Sequence, residues 1–258
     1  MLAKFYTSVF EMELVPGREG EKDFFATDGY FNLALLYQRL FRGESRRGMN
    51  HFGYHVESVS AVSQRIVGLG GREPKPRPST IPFAEFRGID PECNGFDLAE
   101  KGFLVSKTLR DERAMRYASE GVQPSTRPTL RHIGMYVQDP EGVAQFYVDA
   151  LGMERLPNVE GSAARYVTDG YFTLELLLYR LEGHGAHGLN HYGFTVKSIA
   201  EIAKRITDFG GKEPELRTTA MRPFEVYRAV DPEGNWFNLS EYGASHVKPM
   251  PAREHAHA

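Results

Sequence analysis

Four side chains in the second half of this 258-residue chain have the types and positions to hold a divalent ion: His132, Glu175, His191 and Asn238. Each sits in a short stretch that reads as a β-strand, and strand alternation sorts neighbours onto opposite faces. In residues 131–137, Ile133, Met135 and Val137 form an apolar face that has to pack, leaving His132, Gly134 and Tyr136 opposite. The same rule turns His191, Gly193 and Thr195 away from Tyr192, Phe194 and Val196. It turns Glu175 away from Leu174 and Leu176, and Trp236, Asn238 and Ser240 away from Phe237 and Leu239. Two imidazoles and one carboxylate are enough to bind Fe(II), Mn(II), Ni(II) or Zn(II) with positions left open for substrate. A single strand histidine is ordinarily just a hydrogen-bonded residue. Two at equivalent places of a repeat, with a glutamate on the same face, point to a site.

The elements that position these residues recur. MNHFGYHVESVSAVSQRIVGLGGREP, from Met49, returns as LNHYGFTVKSIAEIAKRITDFGGKEP from Leu189, and PFAEFRGIDPECNGFDLAE, from Pro82, returns as PFEVYRAVDPEGNWFNLSE from Pro223. The stretch TDGYF at 27–31 returns at 168–172. A period of about 140 residues is the size of a duplicated domain rather than a solenoid unit. A weaker repeat inside the second half pairs His132 with His191, Gly134 with Gly193 and Gly152 with Gly211. Each copy runs from an alternating strand to an Asp139 or Ser198 helix N-cap, through an apolar-periodic helix closed by glycine, into extended segments. The expected fold is α+β: four βαβββ units, paired into an N-terminal domain at 1–100 and a C-terminal domain at 130–243. Residues 101–129, ending in VQPSTRPT, read as a linker, and 244–258 as a disordered tail.

The first unit departs from this plan. Met1 aligns with Gly142, so the strand matching residues 130–137 has no counterpart, nor does His132. Either the sequence begins inside the unit or the unit has lost a strand. In the first half Ala34 stands for Glu175, His51 for His191 and Asp97 for Asn238, which makes a poor metal site. A structural role, or a pocket without metal, is expected there.

Paired βαβββ units, a histidine in the first strand of a unit and a DPxGN turn before the last strand resemble the vicinal-oxygen-chelate superfamily of glyoxalases, bleomycin-resistance proteins and extradiol dioxygenases. The resemblance covers nearly the whole chain, and four units resemble the two-domain extradiol enzymes, whose metal lies in the C-terminal domain. It implies that the first-strand ligands fall on His132 and His191, and that the LEL-strand glutamate of the glyoxalase branch falls on Glu175. The family's last ligand, seven residues after the Asp of the DP turn, falls on Asn238 rather than a glutamate. Glu241, three residues on, is the carboxylate alternative, although parity places it on the packing face. The position of the extradiol tyrosine holds Arg228, with Tyr227 beside it. Acid–base work falls to His187 or His184, which read equally well as ordinary loop histidines.

The expected function is therefore metal-dependent dioxygenase or lyase/isomerase chemistry on a small substrate with two neighbouring oxygens, such as a catechol or an enediolate precursor. The alternative is a metal-free small-molecule binding or resistance protein, with Tyr136, Tyr171, Trp236 and Tyr227 lining the cup. A net charge of −3 and 25% charged residues give no reason to expect a nucleic-acid or membrane partner. The expected partner is a small-molecule substrate, with a homodimer left open. One cysteine, Cys93, excludes an internal disulfide, and the absence of a signal-like N-terminus suits the cytoplasm.

Overall fold

The computed structural model describes residues 1–15, 22–29, 31–37, 48–78, 84–100, 128–181, 186–217 and 226–241. Nearly all of the expected linker, the whole expected tail and His184 lie outside these residues. No helix among the described residues is long and apolar enough to cross a membrane.

In the second half, β8 (Thr129–Val137), α3 (Pro140–Leu151), β9 (Glu154–Arg155), β10 (Arg165–Thr168) and β11 (Thr173–Leu178) make one βαβββ run. A second run is β12 (Gly188–Thr195), α4 (Ile199–Asp208), β13 (Glu215–Leu216), β14 (Tyr227–Val230) and β15 (Trp236–Ser240). The helices start where a short polar side chain can take up an orphan N–H. Asp139 accepts from Gly142 N, with Pro140 at the first helical position, and Ser198 accepts from Glu201 N. Gly152, at φ 72°, ends α3 in the left-handed region that a side chain would strain. The two runs join into one eight-stranded sheet ordered β13-β14-β15-β12-β8-β11-β10-β9. The central pair, β8 with β12, is antiparallel, and each is flanked by a parallel partner, β11 and β15.

The first half opens with α1 (Leu2–Phe10), followed by β1 (Glu13–Val15), β2 (Phe24–Thr27) and β3 (Asn32–Leu35). Then come β4 (Phe52–His55), α2 (Val59–Gly68), β5 (Lys75–Pro76), β6 (Phe86–Ile89) and β7 (Gly95–Ala99). Here the strands form two separate sheets, β1-β2-β3 and β4-β7-β6-β5. Among the described residues no strand stands where β8 stands in the other half, so nothing bridges β3 to β4.

The helices are shared between the halves. The apolar stripe of α1 buries Phe5, Tyr6, Val9 and Phe10, and Phe10 stacks on Phe194 of β12 with ring centroids 3.9 Å apart. Tyr147 of α3 packs in turn on Phe52 and Phe96 of the first half. Polar contacts repeat this exchange. Tyr6 donates to Asp231 Oδ2 at 2.9 Å and Tyr147 to Asp90 Oδ2 at 3.3 Å; both carboxylates belong to DP turns of the opposite half. Arg65 donates to Ala150 O at 2.8 Å, and Arg205 to Val9 O at 3.2 Å. Each of these four donors is answered by its repeat counterpart, as across a two-fold axis. Buried hydrogen bonds to a charged group stabilise by roughly 1.5–3 kcal/mol each, so the DP turns hold the halves together.

Candidate metal centre

His132, Glu175 and His191 come together on one face of the eight-stranded sheet. Strand register dictates this: His191 lies opposite Gly134, Gly134 opposite Glu175, and His132 opposite Gly193. One ligand atom from each residue lies within 4.8 Å of the others, and Glu175 Oε2 is 3.3 Å from His191 Nε2. All three side chains are buried. Two glycines make the approach physically possible. A methyl group built on Gly134 would run into the His191 ring, and one on Gly193 would run into His132. Each imidazole therefore lies over the glycine of the neighbouring first strand, in two copies of one His-x-Gly pattern.

The donor set fits a divalent cation. Neither oxygen of Glu175 accepts a hydrogen bond, and a buried carboxylate without hydrogen bonds is costly unless a cation compensates it. Burial, reinforced by the neighbouring His191, holds His132 well below the usual imidazole range. It is neutral at pH 7, the form a metal requires. The donors are close enough for an ion at about 2.0–2.2 Å from each after a small inward shift.

Around the three donors the cup has two distinct walls. Trp236 stacks on His191 with centroids 4.6 Å apart, and the Arg228 guanidinium lies 3.8 Å from the centroid of a Trp236 ring. This column locks the orientation of the His191 ring. Opposite it, Ala164, Tyr166 and Leu177 form a small apolar cluster, with Tyr136, Leu156 and Val159 packed against it. Asn238 is fully buried beside Gly193, and neither Nδ2 nor Oδ1 makes a hydrogen bond.

Other expected site residues are placed elsewhere. Tyr227 lies opposite Leu239 and packs on the main core; it is one residue from Arg228, and alternation puts it on the other face of the sheet. Tyr171 also packs on that core, beneath the Arg131 guanidinium at 3.7 Å, and its backbone carbonyl accepts from Arg131. Neither tyrosine is a cup residue. Glu241 caps α4, accepting from Ile199 N at 2.8 Å, as Glu100 caps α2 by accepting from Val59 N at 2.7 Å. It is a capping residue rather than a spare ligand. His187 stands just before β12, bound through Nε2 to Glu92 Oε2 at 2.6 Å and edge-on to Tyr179. Glu92 belongs to the first half and also accepts from Gln138 N and Asp139 N.

Two features escape a reading of the residues alone. Tyr166 joins the cup wall because on β10 it lies opposite Glu175 of β11, a register that no local pattern reveals. The cradling glycines do leave a signal, the repeated His-x-Gly, but its meaning depends on which strands pair.

Residues 129–239 match the Glyoxalase/Bleomycin resistance protein/Dioxygenase superfamily model. No match to the chain was found among curated protein sequences. In fold the chain is similar to the 2,3-dioxygenase LapB from Pseudomonas sp. KL28, with a TM-score of 0.61 at 13% identity, over 92% of this chain and 86% of that one. Homoprotocatechuate 2,3-dioxygenase from Arthrobacter globiformis gives a TM-score of 0.60 at 16% identity, over 92% and 73%. A xylose isomerase-like TIM barrel/4-hydroxyphenylpyruvate dioxygenase fusion protein gives 0.59 at 12%, and there the chain spans only 46% of the other protein. The sequence match to this superfamily covers the second half of the chain, and the likeness in fold extends over both halves. At these identities the likeness to the dioxygenases is one of fold.

Proposed function

We propose that the second half is an Fe(II)-dependent dioxygenase site for a small aromatic substrate with two neighbouring hydroxyls. One observation carries the reading: two imidazoles and a carboxylate converge, buried, with both carboxylate oxygens lacking hydrogen bonds. Two histidines and one carboxylate with open positions form the donor set of non-haem Fe(II) oxygenases, and the fold likeness to 2,3-dioxygenases supports the same choice. Bound there, the ion would supply Lewis acidity toward two adjacent oxygens.

The chain's own residues do the rest. Gly134 and Gly193 let the histidines approach, and Trp236 fixes the plane of His191. The Tyr136, Tyr166 and Leu177 wall excludes water and packs against an aromatic ring. The Arg228 cation at the opposite wall favours a substrate with negative charge on that side. His187, anchored by Glu92, is the proposed proton carrier at the rim.

The apolar wall also favours a second reading, a metal-free protein that sequesters an aromatic ligand. Iron analysis after anaerobic Fe(II) loading, followed by oxygen uptake with catechol, separates the two. About one iron per chain and chelator-sensitive uptake are expected. Iron binding without uptake would move the chemistry to the isomerase or lyase branch. Substoichiometric metal, with catechol binding unaffected by chelation, would establish the metal-free reading.

A further inference from the structure

Asn238 occupies the place where the superfamily resemblance calls for the last metal ligand, and its surroundings suit a different task. It is fully buried on the face that carries the three donors, and both ends of its amide lack hydrogen-bond partners. Register sets it opposite Gly193, over which the His132 ring lies, and opposite Arg228 on the other side. The repeat supplies an internal control. Asp97, at the same position of the first half, is equally buried but committed at both oxygens: to His51 at 3.2 Å, to Arg77 at 3.3 Å and to Arg87. The fold can thus satisfy this position from within the protein, and in the second half it does not. Orphaned buried donors and acceptors destabilise a fold, and those that persist call for an explanation such as a functional role or an ordered water.

We propose that Asn238 is a substrate-positioning residue and not a metal ligand, and that its amide receives a hydroxyl of the bound ligand. A hydroxyl is the complementary group, since it accepts from Nδ2 and donates to Oδ1. His132, Glu175 and His191 already supply three donors and one negative charge, and a neutral amide oxygen would add little to them. The inference rests on the metal centre proposed above and deepens it by naming how the ligand is oriented.

The test replaces the amide by a near-isosteric apolar group, Asn238→Leu, with Asn238→Ala as a second variant that cannot overfill the site. Three quantities are measured: iron per chain after loading, thermal midpoint of the metal-free protein, and binding of 4-nitrocatechol by its absorbance shift. Expected are unchanged iron, a midpoint a few degrees higher for Asn238→Leu, and at least ten-fold weaker 4-nitrocatechol binding in both variants. Loss of iron in the variants, with wild type fully loaded, would make Asn238 a ligand and overturn the proposal. A lower midpoint with unchanged 4-nitrocatechol binding would make it a structural amide satisfied by water. Wild-type protein that takes up no iron would instead defeat the metal-centre reading itself.

Discussion

At corresponding positions the first half carries His51, Gly53, Arg87, Gly95 and Asp97, and the second half His191, Gly193, Arg228, Trp236 and Asn238. In the first half Arg87 packs over Gly95, where a side chain would meet its guanidinium, and reaches Asp97. His51 and Arg77 join the same carboxylate. Burial by itself pushes the Asp97 carboxyl up, but His51 and Arg87 outweigh it and hold the group below the usual carboxylate range. In the second half Trp236 takes the position of Gly95, lies under the Arg228 guanidinium and stacks on His191. β8 then brings His132 over Gly193, where the first half has no equivalent strand among its described residues. One backbone plan therefore yields an ion cluster in one half and a three-donor cup in the other. The deciding differences are one strand, a glycine-to-tryptophan exchange and the loss of one charge.

The largest effect should come from removing Glu175, the carboxylate of the three-donor cluster, while sparing its counterpart half. Glu175→Gln keeps the shape but exchanges an ionic donor for a neutral amide. Iron affinity should fall by about 1,000-fold, roughly 4 kcal/mol, whereas His51→Ala should leave both affinity and stoichiometry unchanged. Competition titration against a chelator of known affinity measures both. Equal losses in the two variants would erase the distinction drawn between the halves.

Asp97→Asn installs in the first half the residue found at position 238. Removing one partner of a buried ion pair typically costs about 3–5 kcal/mol. His51, Arg77 and Arg87 keep between 21% and 30% exposure, so solvent softens the loss to about 2–3 kcal/mol. Urea unfolding should show this as a lower midpoint at an unchanged slope. A change below about 0.5 kcal/mol would mean that the cluster contributes little, and that Asp97 is no better satisfied than Asn238.

Much of this contrast is readable from the residues alone, because strand alternation is a local rule. It places His132, Glu175, His191 and Asn238 on one face without any knowledge of pairing. Tyr227 is nonetheless expected in the cup, although it adjoins Arg228 in sequence and so lies on the opposite face. The helix caps at Asp139 and Ser198 are equally local. What remained hidden depends on contacts between distant segments. Glu92 holds His187 from 95 residues away, and Tyr6 reaches Asp231 from 225 away. The DP turn therefore reads as a strand-entry motif when it also joins the halves. Glu241 reads as a spare carboxylate until the start of α4 is seen to lie against it.

The smallest of the expected effects concerns pH and belongs to the second half. His132 is fully buried, and its folded-state proton affinity is depressed by burial and then by His191. In the unfolded chain the same imidazole titrates near the ordinary value of about 6.5. As pH falls through that value the unfolded chain takes up a proton that the folded chain does not, so acid favours unfolding. The slope cannot exceed about 1.4 kcal/mol per pH unit for one proton. Between pH 7 and 5.5 the metal-free protein should therefore lose about 1 kcal/mol on this account. Stability should be fully regained above pH 7, where both forms are neutral. His132→Gln removes the titrating group from the same cradle and should flatten that part of the pH profile, while His51→Gln should not. Urea midpoints of the metal-free variants across this range measure the difference. An unaltered slope in His132→Gln would show that another group carries the acid sensitivity, and that the depressed imidazole does not distinguish the halves.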